Sequence, residues 1–272
     1  MFSGIIQEIG TITALKSKNG LLELTISCEK ISDIEIGDSI AVDGCCQTVT
    51  EIAPRHCEKP SRFAQGKLRD EAIQHEVLSR EVKTTKGSNP VSGSLAELGT
   101  IPEVSDCRVG TKVPPRNDAK QYKLFTIQAT QETLDKTNFK ELKVGSLINL
   151  ESSLRMGDKI SGHLVSGHVD AIGIVYDIEE DQENRIVKIE YPKELNKYIA
   201  NKGSVTVNGT SLTVISSKIN ENFIFTFTLI PFSRDNTNLG LIKKGNPVNL
   251  EIDLISRYLV NYLESSNLPV RA

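Results

Sequence analysis

Residues 42–49 read VDGCCQTV and residues 207–214 read VNGTSLTV. Both are strand–turn–strand phrases, and Asp and Asn each tolerate the backbone conformations such turns require. The phrase is part of a longer repeat. GIIQEIGTI from Gly4 resembles GHVDAIGIV from Gly167, an offset of 163, and the quoted pair is offset by 165. LDKTNFKELKVGSLINLE from Leu134 resembles RDNTNLGLIKKGNPVNLE from Arg234, an offset of only 100. A tandem duplication accounts for the first two pairs, and an insertion of about 65 residues between Thr50 and Leu134 accounts for the drop.

The β-like pattern breaks after Ile52 and resumes at Tyr122. Between them, residues 54–121 hold six of the ten prolines and one of the fourteen Phe and Tyr residues, with twelve Lys or Arg against nine Asp or Glu. Little apolar surface is available to offset ordering entropy, so the segment reads as a largely disordered excursion from a loop of the first repeat. A partner-binding module is the alternative. KLRDEAIQHEVLSREVK, from Lys67, has the spacing of a short helix with a thin apolar stripe.

Outside the insertion each copy spans about 90 to 100 residues of short β-like segments. In the second copy these are HVDAIGIVYDIE, IVKIEYP, SVTVNG, SLTVISSKI, FIFTFTLI and PVNLEID. Alternation in FIFTFTLI and SVTVNG gives each strand one buried face. Six strands around a small core fit a closed antiparallel barrel, and a two-sheet sandwich has a similar pattern. KELNKYIANKG, from Lys193, reads as a short helix closed by Gly203. In DLISRYLVNYLES, Leu254, Tyr258 and Tyr262 form one helical row and Ile255, Leu259 and Leu263 the next, a wide apolar face suited to packing on the barrels or on other chains.

Composition excludes several classes. Hydrophobic residues make 38% and charged residues 25% of the chain, and the net charge is −3, which gives nucleic acid or an anionic membrane no reason to bind. No apolar run is long enough to span a bilayer, and MFSGIIQEIG lacks the features of a signal peptide. Five cysteines, two of them adjacent, argue against a disulfide framework and for a reducing, cytoplasmic location. The four histidines form no metal-ligand set: His163 and His168 are five apart, and His56 and His75 fall in the insertion. No GxGxxG, P-loop or GxSxG phrase occurs.

Polar residues do recur at matched places. Ser39, Cys46 and Thr48 answer Ser204, Ser211 and Thr213. Alternation puts Cys46 and Thr48 on one strand face, Ser211 and Thr213 on another, and turns Cys45 and Cys46 opposite ways. Pattern alone is satisfied by solvated hydroxyls and a small core thiol. Two like barrels also offer two like pockets, which suits a protein that binds two copies of one small molecule.

Taken together, the phrases resemble riboflavin synthase. MFSGIIQEIG is similar to that family's opening, VDGCCQTVTEI to its NGCCLTV phrase, and SGHLVSGHVD to its GGHLxSGH phrase. VNGTSLTV, TLIPFSRDNTNLG and VNLEIDLISRYL are similar to its second half. The resemblance covers residues 1–53 and 122–272, and the insertion has no counterpart in the usual pattern. It implies an all-β fold: two tandem six-stranded antiparallel Greek-key barrels and a C-terminal helix. The lumazine-binding barrels would span 1–155, interrupted by 54–121, and 156–252, with a trimerisation helix over 253–272.

The resemblance also implies a homotrimer and a dismutation without metal or redox cofactor. Two molecules of 6,7-dimethyl-8-ribityllumazine exchange a four-carbon unit, giving riboflavin and 5-amino-6-ribitylamino-2,4-pyrimidinedione. The substrates would stack between the first barrel of one subunit and the second barrel of its neighbour. By motif, Ser211, Thr213 and Asp253 belong to the second half-site, with Lys202, Gly167, His168 and Ile230 lining it. Ser39, Cys46, Thr48, Ala129 and Thr133 line the first, with Phe2, Ser3 and Gly4 from the N-terminal segment near it. Ser211 and Asp253 are expected to orient or activate a nucleophile, Cys46 to support, and His168 to transfer protons or serve structure. Ser3 stands for a usual Thr, Gln47 for a usual Leu, and Asn208 for a frequent Asp. Lumazine-carrying antenna proteins are similar to the same family, so binding without turnover is the rival reading, and an enzyme disabled by the insertion a third.

Overall fold

The computed structural model describes residues 1–18, 20–53, 122–219 and 222–266. The expectations for the insertion, including disorder and the helix from Lys67, lie outside the described residues, as do His56 and His75. Both quoted phrases form hairpins. Asp43 and Gly44 have φ of 44° and 79°, and Asn208 and Gly209 have φ of 45° and 76°. Two successive positive φ values make a turn whose twist matches the flanking strands, hence Asp-Gly and Asn-Gly at these places.

The first hairpin joins β3 (Ser39–Val42) to β4 (Cys45–Ala53). With β1 (Glu8–Lys18), β2 (Leu21–Cys28), β5 (Lys123–Ala129) and β6 (Leu147–Ser152) it closes a barrel in the order β1-β2-β5-β4-β3-β6. Closure leaves no unpaired edge. Ile12, Leu24, Ile26, Val42, Phe125, Ile127, Ile148 and Leu150 fill the interior, and Phe139 joins them from a 3₁₀ turn, Asn138–Glu141. That turn follows helix α1 (Gln131–Lys136).

The second repeat forms a seven-stranded sheet instead of the expected six. Its strands are β7 (Ala171–Asp181), β8 (Asn184–Glu190), β9 (Ser204–Val207), β10 (Thr210–Thr213), β11 (Ser216–Ile219), β12 (Asn222–Leu229) and β13 (Pro247–Ile252). The order is β10-β9-β13-β7-β8-β12-β11, so its two ends, β10 and β11, are consecutive in the chain. They are the halves of SLTVISSKI, broken where Val214 N donates to Gly203 O and Ile215 N to Thr226 O. The first half pairs β9 and the second pairs β12, which bends the sheet round on itself. The helix expected from Lys193 is a single 3₁₀ turn, Lys193–Leu195. Its bonds run to the third residue, such as Leu195 N to Pro192 O, and Leu195 and Ile199 both enter the second core.

α2 (Pro231–Asn236) and a 3₁₀ turn, Asn238–Leu241, repeat the α1 arrangement, and α3 (Leu254–Ser265) ends the described chain. Only Val260 of α3 is buried, while Ile255, Tyr258, Leu259 and Tyr262 are 56–68% exposed. Among the described residues no helix is long and apolar enough to cross a membrane.

The two hairpin turns meet back to back. A Cβ on Gly44 would sit 2.5 Å from Gly209 N, and one on Gly209 would sit 2.7 Å from Gly44 N. Around them asparagines cross between repeats. Asn138 N donates to Asn249 Oδ1 and Asn238 N to Asn149 Oδ1, at 2.8 and 2.7 Å. Asn149 Nδ2 donates to Asn208 O and Asn249 Nδ2 to Asp43 O, at 2.8 and 2.9 Å. Each bond has its counterpart under a pseudo-two-fold axis between Gly44 and Gly209. Gly44→Ala should cost roughly 2–5 kcal/mol, from the left-handed backbone and the backbone clash together. Gly20→Ala, with φ of 78° and nothing within 4 Å, should cost only ~1 kcal/mol. Urea unfolding of the two variants checks the difference.

Candidate functional site

Strand alternation aims the matched polar residues out of the barrels. Leu212 is buried in the second core, so Ser211 and Thr213 point outward, facing Thr206 and Ser204 across the β9–β10 pair. In the first barrel Cys45 is buried and Cys46 and Thr48 point outward, opposite Ala41 and Ser39. Gln47 points inward, and its Nε2 donates to Cys45 Sγ and Cys46 O at 3.2 and 2.8 Å. Burial pushes the Cys45 thiol up to about 12, which leaves it unreactive.

Each outward patch is covered by the chain entering the other barrel. Ser3 N and Oγ donate to Glu151 Oε1 at 2.7 and 2.8 Å, and Gly4 N donates to Oε2 at 3.1 Å. Gly4 O then accepts from Ser211 N of the second barrel at 2.7 Å. In the counterpart, Ser166 N and Oγ donate to Glu251 Oε1 at 2.7 and 2.6 Å, and Gly167 N to Oε2 at 3.0 Å. Gly167 O accepts from Cys46 N of the first barrel at 2.7 Å. Gly4 and Gly167 have positive φ, and a Cβ on either would lie 2.6 Å from the Cβ of Ser211 or Cys46. Only glycine fits both the conformation and the approach. Burial raises both glutamates above the usual carboxylate range, and the Ser and Gly donors oppose that rise.

This crossover corrects the expected grouping. Gly167 lies on Cys46 and not beside Ser211, and the adjoining His168 is exposed. Ser3 and Gly4 belong with Ser211 instead of Cys46. Phe2 does sit beside Cys46, fully buried with Ala41 and Val165, and pairs with Val165 through two backbone bonds. Ala129 is fully buried in the first core, so it can offer a ligand only its backbone. Thr133 lies half-buried on α1, where its N–H caps on Thr130 Oγ1. Lys202 is exposed with φ of 66°, and its N–H bonds Val214 O beside the end of β10. Ile230 is half exposed at the end of β12.

The residue that sequence reasoning passed over is His163. Its Nδ1 lies 2.8 Å from Ser211 Oγ, and its N–H bonds Ser3 O. In the tautomer with the proton on Nε2, Nδ1 accepts from the serine hydroxyl. Burial holds this imidazole below its usual pKa, and the Asp253 carboxylate pulls partly the other way. Asp253 is also the N-cap of α3, its Oδ1 accepting from Ile255 N at 2.7 Å and Ser256 N at 3.3 Å. The second patch thus holds a serine hydroxyl on a neutral base with a carboxylate near, a set able to pass a proton or activate a nucleophile. The repeat concealed His163 because the matched phrases begin at Gly4 and Gly167, and His163 lies outside them. Glu151 and Glu251 were visible as twins in INLE and VNLE. Titration by NMR should find His163 below 6.5, and Asp253→Asn should lower it further.

Comparison with known proteins gives a consistent result. Residues 3–80 and 166–253 match the lumazine binding domain family. A riboflavin synthase of Photobacterium phosphoreum is 31% identical over 265 residues, covering 97% of this chain and 89% of the relative. A riboflavin synthase of Bacillus subtilis is 29% identical over 268 residues, covering 98% and 92%. Among solved structures, LumP complexed with riboflavin has the same fold, with a TM-score of 0.62 and 20% identity over 93% of this chain and 99% of its own.

Proposed function

We propose, for a chain that belongs to the riboflavin synthase family, that it catalyses the dismutation of two 6,7-dimethyl-8-ribityllumazine molecules to riboflavin and 5-amino-6-ribitylamino-2,4-pyrimidinedione. The observation that carries this reading is a pair of alike but chemically unequal patches. Ser39, Cys46 and Thr48 form one, and Ser204, Ser211 and Thr213 the other, and only the second holds the His163–Ser211 bond. Donor and acceptor are the same molecule, so like surfaces suit their binding and unlike groups suit their opposite roles.

Holding two flat rings in register removes translational and rotational freedom, a large share of the barrier for a bimolecular step. What remains is acid–base work. One lumazine must lose a proton from its C7 methyl, and the other must accept a nucleophile. Ser211, with His163 taking its proton and Asp253 favouring the resulting imidazolium, is the group for nucleophile activation. Cys46 and Thr48 contact the partner ring, and Lys202, Thr213 and Ile230 border the second half-site. Ser39, Thr133 and the Ala129 backbone border the first, and His168 is placed there to exchange a proton.

Each chain carries both patches on outer barrel surfaces, so we further propose a homotrimer in which the first barrel of one subunit faces the second barrel of the next. The exposed row Ile255, Tyr258, Leu259 and Tyr262 on α3 supports that assembly, being an apolar face that none of the described residues covers.

Incubation with 6,7-dimethyl-8-ribityllumazine should give riboflavin, followed by absorbance and fluorescence. Ser211→Ala and His163→Ala should each slow it about 100-fold or more. Bound lumazine without product would turn the reading to a lumazine carrier, which the likeness in fold to LumP allows. Cys46→Tyr, which fills the first half-site, and Ser211→Ala should each be inactive alone. Mixed and reassembled, they should regain part of the activity, because some sites then pair two intact halves. No recovery on mixing would place the whole site within one chain.

A further inference from the structure

The turns at the pseudo-two-fold axis differ by one atom type, Asp43 against Asn208, and the proposed chemistry uses neither. On the Asn208 side the amide ring is complete. Asn208 Oδ1 accepts from Asn249 N at 2.8 Å, and Asn208 Nδ2 donates to Asn238 Oδ1 at 3.2 Å. The axis carries these residues onto Asp43, Asn149 and Asn138. Asp43 Oδ1 accepts from Asn149 N at 2.7 Å and from Asn238 Nδ2 at 2.8 Å. A carboxylate has no hydrogen to match Asn208 Nδ2, and Asn138 Oδ1 is buried there without a hydrogen-bond partner. Such an orphan acceptor is destabilising, because it has given up water and gained no partner.

Turning the Asn138 amide over does not repair the ring. Its Nδ2 faces Pro247 O at 3.5 Å, as Asn238 Nδ2 faces Leu147 O at 3.3 Å, and the flip would set two carbonyl oxygens together. One hydrogen is missing, and the Asp43 carboxyl is the group placed to supply it. We propose that Asp43 is a neutral carboxylic acid in the folded protein, its Oδ2–H donating to Asn138 Oδ1, and that loss of this proton weakens the junction between the repeats.

The surroundings agree. Asp43 is 1% exposed, and desolvation pushes its carboxyl up to about 7, against the lowering effect of Asn149 and Asn238. The ionisable groups on the elements packed around it are the Cys45 thiol on its own hairpin, Glu151 on β6 and Glu251 on β13. Both glutamates are committed to their Ser-Gly pairs. On the turn of Asn138, Lys140 and Glu141 are exposed and Lys140 pairs with Asp135, so neither neutralises Asp43. The turn of Asn238 carries no charge.

An unfolded Asp43 titrates near 3.8 and the folded one near 7. Its contribution to stability is therefore intact below 3.8 and lost up to about 7, by about tenfold in the folding equilibrium for each pH unit, with no further change above. Asp43→Asn supplies the missing hydrogen permanently. Thermal and urea unfolding of the wild type and D43N between about pH 4 and pH 9 should show little difference at the acid end. A growing advantage for D43N should then level off above about pH 7. The exchange D43N/N208D moves the acid to face Asn238 and should restore the dependence. A D43N protein no more stable than wild type across the range, or less stable at the alkaline end, overturns the proposal. Should D43N fail to fold, the Asp43 Cγ resonance of the wild type decides. A neutral-acid shift at about pH 5.5 that titrates near 7 upholds it, and a carboxylate shift at that pH overturns it.

Discussion

Everything in the described structure depends on how two turns of like geometry are made to touch. Backbone meets backbone at Gly44 and Gly209, a contact that excludes even a methyl group. The contact buries peptide groups, and buried peptide groups need partners. Asn149, Asn249, Asn138 and Asn238 supply them, each reaching across the junction to the other repeat. An apolar interface of the same size would hold the repeats together without fixing their register. A network of buried amides tolerates few arrangements, because every alternative leaves a polar group unpaired.

The same axis explains the half-sites. Each hairpin leads within two residues from the turn to its outward patch, Cys46 in one case and Ser211 in the other. Each chain entry, Ser3–Gly4 or Ser166–Gly167, is anchored on its own barrel by a glutamate and laid over the other barrel's patch by one backbone bond. Neither patch is complete within a single repeat. Duplication therefore produced an interlocked pair, and differences between the copies could accumulate where the environments were already distinct. The His163–Ser211 bond of the second patch is one such difference. Asp43 is another, at the centre of the junction itself.

Local and repeated information was legible in the chain. The Asp-Gly and Asn-Gly turns, the alternation that separates Cys45 from Cys46, the offsets and the strands of the second copy all follow from nearest-neighbour geometry. The break in SLTVISSKI was not legible: Val214 and Ile215 are good strand formers, and the strand parts there because their N–H groups are claimed by Gly203 and Thr226. The helical spacing from Lys193 was overridden in the same way, as Leu195 and Ile199 were drawn into the core and left only one 3₁₀ turn.

By itself, then, the sequence determined a duplicated all-β chain with matched polar positions and a family resemblance specific enough to name a reaction. Tertiary structure alone decided which entry segment covers which patch, and so that Gly167 serves Cys46 and Gly4 serves Ser211. It also decided that His163 and not His168 bonds the serine. The reason is physical. Periodicity records which way a side chain points from its own strand, while the backbone hydrogen bonds that hold a crossover do not write into the order of side chains which barrel the crossing glycine meets.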